Sequence, residues 1–143
     1  MLSITCQTAI KAVTYIASKF PDKKKSGIKE IAAQINESEH TIGKVLQKLT
    51  KLAIISSIKG PNGGFFITKA QESAPLILIV KAVEGDDYFE RCGLGLSTCS
   101  DQHPCPIHKD FKPVRESFKR FCKLKTIGDL YRDLNVGKAF LKG

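Results

Sequence analysis

Residues 54 to 68 admit the fewest folds of any part of the chain. Two β-prone runs, Ile54-Ile55-Ser56-Ser57-Ile58 and Phe65-Phe66-Ile67-Thr68, flank Lys59-Gly60-Pro61-Asn62-Gly63-Gly64. A turn so rich in glycine and proline reverses the chain, so the segment reads as a β-hairpin with a long tip. Three helical stripes precede it. From Ile4 to Phe20, the residues Ile10, Val13, Ile16 or Ala17, and Phe20 fall on one side at helical spacing, with Ser3 as N-cap and Pro21-Asp22 as the stop. Lys23-Lys24-Lys25-Ser26-Gly27 makes a basic turn, after which Ile28, Ile31, Ala32 and Ile35 form a second, short helix closed by Asn36. Ser38 then caps a third helix, whose positions Ile42, Val45, Leu46, Leu49 and Leu52 follow the i, i+3, i+4, i+7 rule.

Three short helices and a hairpin, in that order, make a winged helix-turn-helix, whose third helix enters the major groove while the hairpin tip reaches the neighbouring minor groove or backbone. Charge agrees with this. The chain of 143 residues has 23 Lys and Arg against 14 Asp and Glu, a net charge of +9, and such a surface concentrates polyanions around it. Ser38, His40, Thr41 and Lys44 lie near the N-terminal end of the third helix, where base edges are read; Lys48 and Lys51 are placed for phosphate. In the wing, Lys59 stands beside Gly60, Pro61, Asn62 and Gly63, whose backbone a phosphate can approach closely. A lysine-bearing helix face taken alone is most often merely solvated, and a glycine-rich hairpin merely a hairpin. Their conjunction with the helix order is what points to double-stranded DNA.

The rest of the chain is organised around a cysteine-bearing loop. Ser73 and Pro75 suit the first turn of a fourth helix running to Val83 and stopped by Gly85; Leu76 to Val80 is apolar all round, which predicts burial. Residues 85 to 106 lack periodicity and read as a loop. Beyond it, Ile107, Phe111, Val114, Phe118 and Phe121 recur every three or four residues, an amphipathic helix that Pro113 either kinks or begins. Thr126 caps a last helix, Ile127 to Leu134, and the tail after Gly137 reads as loose. No run approaches the ~20 apolar residues that span a bilayer. The N-terminus lacks a basic and apolar leader, so a cytoplasmic location without a membrane partner is expected.

Cys92, Cys99, Cys105 and His108 are spaced C-x6-C-x5-C-x2-H. A structural zinc site usually draws two ligands from a tight C-x2-C knuckle, which is missing. Wider gaps suit a larger object, and an iron-sulfur cluster, 2Fe-2S or 4Fe-4S, takes thiolates on different irons, with His108 offering a fourth donor. Zinc and uncoordinated redox thiols stay open. Cys6 and Cys122 sit on helices and read as small buried residues, with Cys6 an alternative fourth ligand. An enzyme is disfavoured: there is no Ser-His-Asp pattern, nucleotide loop or paired acid-base set, and Glu84, Asp86, Asp87 and Glu90 form a solvated acidic turn, so no small-molecule substrate is expected.

With these residues in place, the chain resembles the Rrf-two family of bacterial transcription regulators, which includes IscR, NsrR and RirA. The resemblance runs from Thr5 to about Leu134. It is carried by the wing Ile55-Ser56-Ser57-Ile58-Lys59-Gly60-Pro61-Asn62-Gly63-Gly64-Phe65, by Ile28-Lys29-Glu30-Ile31-Ala32, and by the cysteine loop with Pro104-Cys105-Pro106. It implies a mainly α fold with a small β-hairpin: a winged helix-turn-helix over 1–84, a cysteine-rich metal-binding loop over 85–106, and a dimerisation helix with a C-terminal segment over 107–143. It also implies a homodimer on a near-palindromic operator, with the Ile107 to Phe121 stripe as the dimer surface. IscR-like members bind their cluster through three cysteines and a histidine, matched here by Cys92, Cys99, Cys105 and His108, although the first gap is one residue longer. NsrR-like members add a carboxylate from the partner's first helix, where this chain has Gln7. The expected function is a regulator whose operator affinity follows the state of the cluster, through redox, iron or nitric oxide. A cluster-free thiol or zinc regulator is the alternative, and an iron-sulfur carrier a more distant one.

Overall fold

The computed structural model describes residues 1–143. Helix α1, Ile4–Ser18, starts where the Ser3 hydroxyl accepts the Cys6 N–H, and it buries Ala9, Ala12, Val13, Ile16 and Ala17. Pro21 lies in a 3-10 turn, Phe20–Asp22, that ends this run. Helix α2, Ile28–Ile35, closes at Asn36 in the left-handed conformation, which asparagine tolerates. Helix α3, Glu39–Lys51, is capped by Ser38 and buries Ile42, Val45, Leu46 and Leu49 against α1 and α2. Leu52, expected as the last member of that stripe, is exposed: the helix stops at Lys51, and Ala53 turns the chain away at φ 58°.

The hairpin is shorter than the apolar runs that announced it. Strands β1, Ser56–Ile58, and β2, Gly64–Phe66, pair antiparallel with Ser56 opposite Phe66. Ile54, Ile55 and Ile67 are buried in the core and anchor the base of the wing instead of extending its ladder. The outer edge of β2 is occupied as well: Ser26 donates its N–H to Phe65 O at 2.9 Å and accepts the Phe65 N–H at 2.8 Å. Gly64 permits this approach, because at φ 144° a Cβ would stand 2.9 Å from Ser26 O.

Thr68, read as the end of a strand, instead caps a short helix, α4, Lys69–Glu72. The Thr68 hydroxyl accepts the Gln71 N–H, and Gln71 Oε1 accepts the Thr68 N–H. Helix α5, Ile77–Glu84, begins later than Ser73 and Pro75 suggested. That stretch pairs with the segment ahead of the last helix: Leu76 N–H donates to Lys125 O at 2.7 Å, and Ile127 N–H to Ala74 O at 2.9 Å. Burial of α5 is one-sided, contrary to expectation. It packs on α1 and α3 and against the long helix, while Leu78 is 43% exposed.

Within the loop a 3-10 turn, Tyr88–Glu90, buries Phe89 against Phe118 with ring centroids 5.7 Å apart. Helix α6, His108–Leu124, runs unbroken through Pro113. Both Lys109 and Pro113 are exposed, so the carbonyl that proline leaves unbonded lies on the solvent side. Helix α7, Ile127–Asn135, has a capping box of Thr126 and Asp129 and returns to lie along α1, where Asn135 Nδ2 donates to Ser18 O at 3.1 Å. A single core therefore extends from Cys6 to Tyr131. No helix is long and apolar enough to cross a membrane.

Candidate nucleic-acid interface and metal centre

The N-terminal end of α3 is tightly organised. Ser38 Oγ accepts the Thr41 N–H at 3.1 Å and donates to Thr41 Oγ1 at 2.8 Å, so both hydroxyls are held at the cap. His40, Lys44, Lys48 and Lys51 project from exposed positions of the same helix. In the wing the Gly63 N–H closes on Gly60 O at 3.0 Å, and Gly60 has φ 109°. A Cβ at Gly63 would overlap Ile58 O at 2.0 Å, so this tip is built on glycine. Lys59, Gly60, Pro61 and Asn62 are exposed. None of Lys44, Lys48, Lys51 or Lys59 forms an ion pair.

The four sulfur and imidazole donors form two pairs. Cys92 and Cys105, both buried, are neighbours, and the N–H groups of Leu94 and Leu96 hold the Cys92 thiol below its usual range by stabilising the thiolate, with a smaller contribution from Cys105. Cys99 lies 3.4 Å from His108 Nδ1. The His108 ring is oriented from behind, with Nε2 2.7 Å from Asp101 Oδ1. With the Nε2 proton donated to that carboxylate, Nδ1 keeps its lone pair on the sulfur side. Asp101 is itself held by Lys112, which with His108 keeps its carboxyl at about 2.

Arg115 closes this arrangement. It is 8% exposed, and its Nη1 donates to Arg91 O at 2.8 Å and to Cys99 Sγ at 3.1 Å, while Nε is buried without a partner. Arg115, Cys92 and Cys99 line a cavity of 550 Å³ walled further by Glu90 and Gly95 to Thr98. No three His, Cys, Asp or Glu side chains converge on one point as a single-ion site. Donors split into separated pairs do not make a closed tetrahedral zinc site; three thiols and an imidazole on one loop and the start of the next helix, with Cys92 and Cys99 lining the cavity, fit the wider donor spacing of an iron-sulfur cluster. Cys6 and Cys122 are not part of this set. Both lie in the core, where burial pushes their thiols up to about 12 and about 11. Gln7 is exposed and donates to Leu2 O.

Cysteine spacing gave no sign of Asp101, Lys112 or Arg115. A signal for two of them existed nevertheless. Lys112 and Arg115 follow His108 by four and seven residues, which puts all three on one face of α6.

Comparison with known proteins bears on the family and the fold. The sequence signature of the Rrf2 family, described as an iron-dependent transcriptional regulator, matches residues 2–133. A relative is the HTH-type transcriptional regulator NsrR of Halalkalibacterium halodurans, 28% identical over 135 residues that cover 94% of this chain and 92% of that protein. Among solved structures, IscR of T. potens superposes with a TM-score of 0.74 at 17% identity, over 97% of this chain and 91% of that one. CymR of B. subtilis, a global cysteine regulator, superposes with a TM-score of 0.73 at 20% identity, over 91% and 95%. These are regulators of transcription, not enzymes.

Proposed function

We propose, from the premise that the chain belongs to the Rrf2 family of helix-turn-helix transcriptional regulators, that its affinity for an operator is switched by an iron-sulfur cluster on Cys92, Cys99, Cys105 and His108. The observation that carries this is the meeting of Cys99 with His108 at the head of α6, with His108 oriented by Asp101 and Cys99 held by Arg115, beside a cavity that Cys92 and Cys99 line. When bound, the cluster supplies a centre sensitive to oxidant, iron supply or nitric oxide. The protein's part is mechanical. The 85–106 segment is anchored at one end by Phe89 in the core and at the other by His108 in the first turn of α6. A change in its order therefore bears directly on the direction of α6. Coupling of about 1 to 3 kcal/mol would alter operator occupancy by roughly 5- to 150-fold.

In this reading 1–84 reads DNA, 85–106 senses, and 107–143 carries the dimer surface. Ile107 at the N-cap of α6 and Val114 and Phe121 along it are exposed at seven-residue spacing, with Leu124 one turn beyond, as a helix facing a second copy requires. Phe118 packs inward instead. A homodimer then presents two α3 helices to two half-sites. His40, Thr41 and Lys44 of each would meet base edges, while Ser38 shapes the cap and Lys48, Lys59 and the Gly60–Gly63 backbone meet phosphate.

The test is an operator-binding titration on cluster-loaded and cluster-free protein at one salt concentration. A difference of about five-fold or more is expected; equal affinities overturn the switch. A second reading, a cluster-free thiol regulator, is favoured by the contact of Cys92 with Cys105 and the lowered Cys92 thiol. Iron and acid-labile sulfide assays after anaerobic purification separate the two. A carrier that only transfers clusters would be unaffected by Lys44→Gln with Lys59→Gln, which should abolish DNA binding here.

A further inference from the structure

We propose that the turn Lys23-Lys24-Lys25 is a third contact with the DNA backbone, held between the recognition helix and the wing. This rests on the reading that α3 and the hairpin bind DNA, and it adds a surface that neither element contains. Two tethers fix its position. On one side Ser26 is hydrogen-bonded twice to Phe65 of β2. On the other Ile28, the first residue of α2, brings its Cδ1 to 3.8 Å from where a Cβ on Gly43 of α3 would lie. The lysines are thus carried on the same rigid body as both DNA-reading elements. Lys25 is further steadied by the Phe66 ring, 6.0 Å from its ammonium, while Gly64 leaves room for the lysine stem, which a Cβ there would meet at 3.2 Å.

Charge gives the partner's chemistry. Lys23, Lys24 and Lys25 are exposed, and neither they nor the neighbouring Lys19 and Lys29 form an ion pair. Around the cysteines the pattern is opposite: Arg91 pairs with Asp87, Lys112 with Asp101, Arg115 with Glu116 and Lys119 with Glu90. Three adjacent unpaired ammonium groups repel one another, and Lys23 has φ 54°, a left-handed conformation a lysine adopts at a cost. A self-repelling turn on the DNA-reading side is relieved by a polyanion that lies against it. A phosphate backbone running from α3 to the wing is such a polyanion.

The experiment measures binding of the full-length protein to a duplex of about three helical turns carrying an operator recovered by selection from random DNA, across a salt series. The variants are Lys23→Gln/Lys24→Gln/Lys25→Gln, a charge-matched Lys123→Gln/Lys138→Gln/Lys142→Gln control, and Lys44→Gln/Lys59→Gln. Removing one lysine from a phosphate flattens the slope of log K against log salt by about 0.9. The turn variant should flatten it by about 2 to 3 for each protomer, hence about 4 to 6 for a dimer on a full operator, while leaving the preference for operator over random duplex unchanged, and the control should not move it. Hydroxyl-radical footprints should lose protection between the α3 and wing contacts with the turn variant alone. A slope and footprint equal to the control's overturn the proposal and leave the turn a solvated charge run. If Lys44→Gln/Lys59→Gln also binds normally, the DNA-reading assignment itself has failed; if it binds weakly, only the turn has.

Discussion

Asp101 illustrates how much a single exposed side chain can govern at the site. Its carboxylate fixes the His108 ring from one oxygen and takes Lys112 on both, so the imidazole presents Nδ1 to the sulfur side. Partners of this kind commonly change metal affinity by about 10- to 100-fold when removed. Asp101→Asn should therefore release iron to a chelator about ten times faster or more while circular dichroism is unchanged; release at the wild-type rate would count against His108 as a ligand. A second residue-scale contact sets pH dependence. Buried Glu72 accepts the Tyr131 hydroxyl, which holds its carboxyl below the ordinary 4.5; burial and Glu72 in turn push Tyr131 up to about 12 from 10.0. Glu72 thus contributes stability that is present above pH 4.5 and is lost as pH falls through its lowered value. Tyr131 contributes below pH 10.0 and loses that contribution as pH rises toward 12. Tyr131→Phe should cost about 1 kcal/mol near neutrality. The melting-temperature gap from wild type should narrow at both extremes; a gap independent of pH would refute the coupling.

Among the elements, α3 and the wing were the most legible, because each is specified locally. The α3 stripe has the helical period, Ser38 is a capping type, and the hairpin is punctuated by residues that permit φ above zero. Ser38→Ala should lower stability by about 1 kcal/mol, read as a shifted urea midpoint with unchanged slope. The Thr68-x-x-Gln71 box of α4 was equally local, but the apolar run before it masked the signal. Pro113 was ambiguous for a different reason: whether a helix continues through a proline depends on the surroundings of the freed carbonyl, which here is solvent. Pro113→Ala should restore that hydrogen bond and raise the melting temperature. A fall would mean that the proline's geometry serves the α6 packing.

At the scale of the whole molecule, two juxtapositions matter. The return of α7 to α1 welds the C-terminal segment into the same core as the DNA-reading helices, so α6 leaves and re-enters a single body. In the proposed homodimer, exposed Val114 and Phe121 belong to the surface on which two such bodies would meet. Phe121→Glu should give a monomer by analytical ultracentrifugation with its helix content intact; a wild-type protein that sediments as a monomer would refute the assembly. Periodicity, caps, turn chemistry and cysteine spacing already specified the winged helix-turn-helix order and marked Cys92, Cys99, Cys105 and His108 as candidate donors, since each depends on neighbours a few residues away. Folding added the rest. The grouping of those donors into pairs, the Arg115 guanidinium against Cys99, the one-sided burial of α5 and the fastening of the Lys23–Lys25 turn between α3 and the wing all join residues distant in sequence. Such contacts follow from how packed elements close on one another, and no local pattern carries them.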